Sequence, residues 1–387
     1  MSQARRKKVG RSAAANRAVV ELRAQIDALD SQLVRLINRR ATVARQIGRL
    51  KAREGVKPYA PSREIQIYGR VAALNKGPIS DEALRAIYRE VMSATIALEQ
   101  PTRVCYFGQP GSFTHLAARV KFGSSVRYLP GGDIRDVFAA VAHGSADYGV
   151  VPIENSTEGG VNQTADLLAD TRLKVVSEIY LPVHHHLLAR GPLKSVRVVY
   201  SHPQGFAQCR QWLNAQLRWA QRREAGSTAE AAQLAARRRQ AGAIAGLLAA
   251  EIYRLPIRAR NVEDQADNIT RFFVIGEQIC EPTGQDKTSL VVSIKDQRGA
   301  LMRLLRPFHA HGINLTRIES RPSRRRAWDY LFFIDMEGHV ADRSVRAALR
   351  EVNSQVRHVE VLGSYPAAPP VPGADLHAVL QDRASLP

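Results

Sequence analysis

Cysteine is scarce in this sequence: Cys105, Cys209 and Cys280 are the only three in 387 residues. They are far apart, odd in number and show neither a CxxC pair nor metal-type spacing, which excludes a disulfide framework and a cysteine-ligated zinc site. Buried packing in a reducing compartment is the expectation that remains. Long apolar runs are also missing, since none reaches the ~18 to 20 residues of a membrane-spanning helix. No apolar stretch follows the basic N-terminal run as a signal peptide requires. The chain therefore reads as soluble and cytoplasmic, without a membrane partner. Neither GxGxxG nor GxxxxGK[ST] occurs, so nothing announces a nucleotide cofactor. His184, His185 and His186 are consecutive, and successive strand residues face opposite ways. With no second cluster to complete a site, packing or ring hydrogen bonding is expected of them, and no metal or other cofactor.

Acid is short relative to base: 36 Asp and Glu against 56 Lys and Arg, a net charge of +20. Clustered cations would suggest a nucleic-acid partner, but here they are spread over the whole chain. The densest run, Arg5, Arg6, Lys7, Lys8, Arg11 and Arg17, contains no acid and reads as a disordered basic tail over 1–17. No nucleic-acid partner is expected, and a general positive field suits small dianionic substrates.

What is present divides into three modules. Residues 18–100 carry only helical periods, 103–281 alternate strand-like and helix-like stretches, and 287–365 form a compact third pattern before a Pro/Ala-rich tail over 366–387. The joints are Gln100-Pro101-Thr102 and Glu281-Pro282-Thr283-Gly284, where proline and small polar residues interrupt periodicity.

In the first module Leu22, Ile26, Leu29, Leu33, Leu36, Val43, Ile47 and Leu50 form one stripe, predicting a helix of about 35 residues, roughly 50 Å long. Arg40 sits in that stripe, where a guanidinium is costly unless it meets an anion or a fixed partner. Arg40 and Lys51 lie ~20° apart on the helix and Arg23 roughly 100° away, so two cations converge and a third points elsewhere. Two shorter helices start at Pro61-Ser62 and Ser80-Asp81-Glu82. Polar Arg63, Thr95 and Glu99 interrupt their core stripes. Helices this unequal cannot cover one another in a monomer, so the long one is expected to pair with a second copy, Arg23 reaching into the partner's site.

Over residues 20–100 these features resemble the all-helical chorismate mutases fused to bacterial enzymes of phenylalanine synthesis. The resemblance implies that Arg40, Arg63 and a partner's Arg23 grip two substrate carboxylates. Lys51 and Glu99 would donate hydrogen bonds to the ether oxygen, and Thr95 matches a small hydroxyl residue of the family. A pericyclic rearrangement needs no nucleophile, only positioning and stabilisation of charge growing on that oxygen. Where some family members carry an acid before the second-helix arginine, this chain has Ala60-Pro61-Ser62, leaving the ring-hydroxyl contact unassigned.

In the second module a strand over 103–107 runs into Gly108-Gln109-Pro110-Gly111-Ser112-Phe113 and a helix. This places backbone N–H groups toward any bound anion. Similar turns recur at 153–160, 201–204 and 227–230. Four of them converging at the carboxyl edge of a sheet would bind a carboxylate, while each alone is explained by helix capping. Gly108 to Phe113, Val151-Pro152-Ile153-Glu154-Asn155-Ser156 and Asn268-Ile269-Thr270-Arg271-Phe272 together resemble the prephenate dehydratases. The resemblance implies a two-lobed α/β fold of the periplasmic solute-binding type. Its chain would cross between lobes near Leu181-Pro182 and return near Leu255-Pro256. It makes Thr270 the main catalytic residue, donating a hydrogen bond to the departing hydroxyl. Ser112, Glu154, Asn155, Ser156 and Phe272 stand with it at the expected substrate site. Arg271 either grips a substrate carboxylate or forms an internal salt bridge with an acid such as Glu154.

The third module reads βαββαβ, a ferredoxin-like α+β sandwich. Gly299-Ala300-Leu301 and the run from Ile313 to Pro322 resemble the phenylalanine-binding ACT domain. The implied contacts are Gly299, Ala300, Leu301, Asn314, Leu315, Glu319, Ser320, Arg321 and Pro322, at an interface between two such domains. Arg324, Arg325 and Arg326 are expected at an exposed hairpin tip. The expected partners are chorismate, prephenate and L-phenylalanine, in a homodimer or dimer of dimers, with phenylalanine favouring an arrangement of the lobes less able to close.

Overall fold

A computed structural model describes the backbone of residues 3–53, 60–99, 102–294, 297–322 and 330–368, and the side chains of these except 3–15, 51–53 and 99. Three helices open the chain: α1 (Gln3–Arg53), α2 (Pro61–Leu74) and α3 (Asp81–Glu99). Helix α2 begins with proline at its first turn, where the missing N–H costs nothing. Helix α3 is capped by the Ser80 hydroxyl, which accepts from Ala83 N at 3.2 Å. α1 is 51 residues long and starts at Gln3, ahead of the expected position. The segment read as a disordered tail is helical in backbone because Ser12-Ala-Ala-Ala-Asn-Arg-Ala18 has high helix propensity and lets the long helix propagate backward. The eight stripe residues from Leu22 to Leu50 remain 51–61% exposed.

The second module has two lobes. The first contains β1 (Arg103–Phe107), α4 (Phe113–Phe122), β2 (Arg127–Gly131), α5 (Ile134–Ala142), β3 (Tyr148–Asn155), β4 (Gly159–Gly160), α6 (Asn162–Ala169) and β5 (Lys174–Pro182). The second holds β6 (His186–Ala189), β7 (Val198–Ser201), α7 (Pro203–Gln208), α8 (Arg210–Gln216), β8 (Gln221–Glu224), α9 (Thr228–Ala236), β9 (Ala241–Ala245), α10 (Leu247–Ile252) and β10 (Ile257–Ala259). Strand β11 (Ile269–Gly276) then rejoins the first lobe, giving sheets ordered β2-β1-β3-β11-β5 and β10-β6-β9-β7-β8. The crossing after Pro182 falls where expected. The return does not: β10 still pairs with β6, and the chain comes back over 260–268. Leu255 is buried in second-lobe core, and its proline neighbour feeds an edge strand instead of a hinge. The two crossings are tied by Val183 N to Asn268 O at 2.8 Å and Val262 N to His185 O at 2.9 Å.

The third module, β12 (Asp286–Ile294), α11 (Ala300–Ala310), β13 (Leu315–Pro322), β14 (Tyr330–Glu337), α12 (Arg343–Gln355) and β15 (His358–Pro366), has the sheet order β13-β14-β12-β15. This is the expected βαββαβ arrangement. Its helices cover one face with Leu304, Phe308, Val345 and Val352. The other face is not solvent: Val291, Phe333, Leu362 and Tyr365 share one core with Phe273 and Ile275 of β11. β15 approaches β5 so closely that a Cβ on Gly363 would lie 2.1 Å from Val175 O. Only glycine fits there. No described helix is long and apolar enough to cross a membrane.

Candidate active sites and regulatory contacts

The mutase residues come together in part. α1 brings Arg40, half-buried, to Thr95 on α3, with Nη1 3.5 Å from Oγ1. Thr95 is buried and donates back to Val91 O at 2.6 Å, its hydroxyl satisfied inside the helix. Arg40, Arg63, Glu64, Arg89 and Thr95 line one cavity. Arg63 is exposed at its edge and bonded to Gln66 Oε1 at 3.0 Å. Arg23 is not there: seventeen residues along α1 from Arg40, it is about 25 Å away at 1.5 Å per residue and exposed. The side chains of Lys51 and Glu99 lie outside the described residues.

Glu64, Arg89 and Lys121 of this cavity were not anticipated. Glu64, 7% exposed, accepts from Tyr68 Oη at 2.9 Å and pairs with Lys121 Nζ at 3.0 Å. Lys121 belongs to α4 of the next module and lines the same cavity. The acid following Arg63 was visible in the sequence, but a lysine from another module carried no local signal.

In the dehydratase-like module, Gly108 and Gly111 adopt φ of 96° and 90°, conformations that favour glycine, and turn β1 into α4. Ser112 caps that helix, its Oγ accepting from His115 N at 3.2 Å. His115 stacks on Tyr106 at 4.3 Å and its Nδ1 accepts the Gly111 N–H at 3.2 Å. Burial, with a smaller contribution from Arg119, pushes its pKa down to about 4. The turn abuts the second lobe, where Tyr253 Oη donates to Pro110 O at 2.9 Å and Arg119 pairs with Glu251 at 3.2 Å.

The expected turns at 201–204 and 227–230 stand at the carboxyl ends of β7 and β8. His202 Nδ1 and Ser227 Oγ accept from Gln204 N and Glu230 N, so these side chains act as helix caps. The histidine run makes ring hydrogen bonds: His184 Nδ1 to Glu263 at 2.7 Å, His185 Nε2 to Gln208 at 2.8 Å, and His186 Nδ1 from Asn261 N at 3.1 Å. Among the described residues no group of three His, Cys, Asp or Glu is placed to hold a metal.

Thr270 and Asn155 face each other across the β3–β11 pair. Asn155 Nδ2 donates to Thr270 Oγ1 at 2.8 Å and to Asn268 Oδ1 at 2.7 Å. Asn155 Oδ1 in turn holds the N–H groups of Thr157 and Glu158. Ser156 closes the turn, accepting from Ile269 N at 3.0 Å and donating to Asp267 O at 3.1 Å. A threonine oxygen that accepts from an amide keeps its own proton for donation.

Arg271 is not in this group, and neither are Glu154 and Phe272. Strand alternation turns Arg271 to the opposite face, where it is 4% exposed. Its guanidinium binds Glu178 at 2.8 Å, Asp335 at 2.5 Å and Tyr365 Oη at 3.2 Å, over the Phe273 ring at 4.9 Å. Of the two alternatives raised for it, the internal salt bridge is what forms, and its nearest acids are Glu178 and Asp335; Glu154 is 3.8 Å away. Burial opposes its charge, but the surrounding oxygens hold its pKa above the ordinary value. Glu154 faces the same way and pairs with Arg317 Nε at 3.4 Å. Phe272, 1% exposed, packs in the first-lobe core with Tyr106 and Val274.

The residues expected around phenylalanine are divided. Gly299, Ala300 and Leu301 begin α11, while Asn314 and Leu315 follow its other end, about 16 Å away for an 11-residue helix. One site using both sets needs two such domains. Along β13, Ser320 and Pro322 are exposed. Glu319 and Arg321 turn inward, Glu319 to Arg317 and the neighbourhood of Gly160, Arg321 to Asp166 at 3.1 Å. The positions of Arg324, Arg325 and Arg326 lie outside the described residues.

Family models described as chorismate mutase type II, prephenate dehydratase and ACT domain match residues 22–100, 104–279 and 288–353. A bifunctional chorismate mutase/prephenate dehydratase of Aquifex aeolicus is 46% identical, over 90% of this chain and 98% of its own. Among solved structures, prephenate dehydratase from Arthrobacter aurescens in complex with L-Phe is 33% identical with a TM-score of 0.64, over 70% of this chain and 93% of that one. A chain described as a novel type of quorum quenching acylase, GqqA, is 31% identical with a TM-score of 0.64, over 69% of this chain and 98% of that one.

Proposed function

Since the chain belongs to the bifunctional chorismate mutase/prephenate dehydratase family, we propose which of its residues carry each step. The enzyme rearranges chorismate to prephenate, then removes water and carbon dioxide from prephenate to give phenylpyruvate, under feedback by L-phenylalanine. We assign the first reaction to residues 18–100, the second to 103–281 and regulation to 287–365, in the cytoplasm.

In the mutase site Arg40 and Arg63 bind the substrate carboxylates, and Lys51 and Glu99, the latter as the protonated acid, donate to the ether oxygen. Thr95 braces Arg40. Arg23 comes from a second copy. The exposed α1 stripe supports a homodimer or dimer of dimers, because leaving eight large aliphatic side chains in water is costly.

In the dehydratase site the bond between Asn155 and Thr270 carries the reading. Loss of the ring hydroxyl and of carbon dioxide is driven by aromatisation, and its barrier lies in the leaving group. Thr270, its oxygen anchored by Asn155, donates its proton's hydrogen bond to the departing hydroxyl as that oxygen gains charge. The expected row of anion-binding N–H groups at the Gly108–Ser112 turn is not offered to a ligand: Gly108, Gly111 and Ser112 donate to Gly131 O, His115 Nδ1 and Gln109 O, so the turn shapes the edge of the cleft. Acyl hydrolysis, named for the quorum-quenching relative, would need a base beside a nucleophile. The group beside Thr270 is an amide donor.

The test supplies chorismate and prephenate separately and follows phenylpyruvate by its alkaline absorbance. Thr270→Ala should cut the rate from both substrates by about 10² to 10³, the usual effect of removing one donor to developing charge. Arg40→Ala should block only the chorismate route. Full activity of Thr270→Ala on prephenate would refute the assignment.

A further inference from the structure

Asn155 and Thr270, the bonded pair in the cleft, each have a charged neighbour in sequence whose side chain leaves by the opposite face of the sheet. Beside Thr270 is Arg271, bound to Asp335 of β14 at 2.5 Å. Beside Asn155 is Glu154, 3.4 Å from Arg317 of β13. Arg317 and Asp335 are themselves register partners across β13 and β14. Two adjacent residues of the regulatory sheet thus hold two adjacent residues of the catalytic strands. We propose that Arg271 and Glu154 are positioning residues, through which phenylalanine bound to the regulatory domain alters the placement of Thr270 and Asn155. This rests on the reading of Thr270 as the dehydratase residue.

The contact is built to transmit displacement. The Arg271, Glu178 and Asp335 side chains are 5%, 0% and 3% exposed, and the remaining valences are taken up. Glu178 also accepts Lys287 Nζ at 2.9 Å, and Asp335 accepts Ser289 Oγ at 2.5 Å. Ser289 meets Tyr365 Oη at 2.7 Å, and the same oxygen meets Arg271. A buried guanidinium held by two carboxylates has a fixed fork geometry, and stranding any of these charges is costly. Sliding of the regulatory sheet by an ångström therefore either breaks the network or takes Arg271 with it. One peptide unit links Arg271 to Thr270, so β11 moves as a whole. The regulatory end of this linkage is Arg317, on the strand that also carries Glu319 to Pro322.

The test uses the full-length enzyme with Asp335→Asn and Arg317→Gln, both outside the cleft. Calorimetry measures L-phenylalanine binding, and prephenate turnover measures the rate left at saturating phenylalanine. Each variant should bind phenylalanine within about threefold of wild type. The surviving fraction of dehydratase activity should rise at least about fivefold, the low end of common allosteric couplings, with the mutase rate unaltered. Arg317→Gln, on an edge strand, carries the test if buried Asp335→Asn fails to fold. Inhibition as complete as in wild type would overturn the proposal. So would loss of phenylalanine binding itself, which would put these residues in the amino-acid site. A wild-type enzyme indifferent to phenylalanine would instead strike the functional reading beneath it.

Discussion

Acid should loosen the cleft turn through one residue. His115 is 8% exposed, and its Nδ1 is usable as an acceptor for the Gly111 N–H only while unprotonated. Its pKa is lowered from 6.5 to about 4 by burial first and Arg119 second. The unfolded chain therefore binds this proton more readily than the folded one between those values. By linkage, stability rises with pH across that window, so the contribution of neutral His115 is intact above pH 6.5 and drains away as pH falls toward 4. Complete loss corresponds to about 3 kcal/mol at 1.36 kcal/mol per pH unit, and the part lost between pH 7.5 and 5 is about 2 kcal/mol. The perturbation is His115→Gln, which keeps a polar acceptor but cannot titrate. Denaturant unfolding of both proteins at pH 7.5 and pH 5 isolates the difference, since a multidomain chain has no single unfolding energy but shares its other transitions with the variant. Wild type should lose about 2 kcal/mol more than the variant on acidification. Equal acid sensitivity, or an NMR titration of the His115 ring near its ordinary value, would refute the reasoning.

Lys121→Met should raise the KM for chorismate about fivefold, roughly 1 kcal/mol, and leave prephenate turnover alone. Separate steady-state assays check this, and an unchanged KM would mean the contact with Glu64 is structural only. In the proposed homodimer, Leu33→Glu places a charge in the middle of the α1 stripe and should leave single copies in sedimentation. Mutase activity should fall at least about a hundredfold as Arg23 is lost from the partner's site, with dehydratase activity retained.

Module order, the βαββαβ pattern and the Thr270–Asn155 group were legible because each depends on local periodicity or a short motif. Arg271 was not resolved because its direction depends on which face of β11 is covered, and by what. Strand alternation puts it opposite Thr270, but the charge there is explained by Glu178 and Asp335, both more than sixty residues away in the chain. The Pro256 hinge failed for a related reason. Proline after leucine reads equally well as an exit from a lobe or as entry to an edge strand, and pairing with β6 decides it. Similarly, the contacts of Glu319 and Arg321 with the dehydratase lobe, near Gly160 and with Asp166, had no local signal, because they depend on what covers the inward face of β13.

The core shared by Phe273, Ile275, Phe333, Leu362 and Tyr365 makes feedback control inseparable from the architecture of the enzyme it controls. A stop codon after residue 281 should therefore cost the dehydratase stability along with its regulation, a loss that denaturant unfolding of the shortened chain would register. It would leave an oily face bare to water and a buried arginine with one of its two close carboxylates, Glu178, and without Asp335. Escape from inhibition by losing the domain should thus carry a stability penalty that escape by altering a few of its contacts does not.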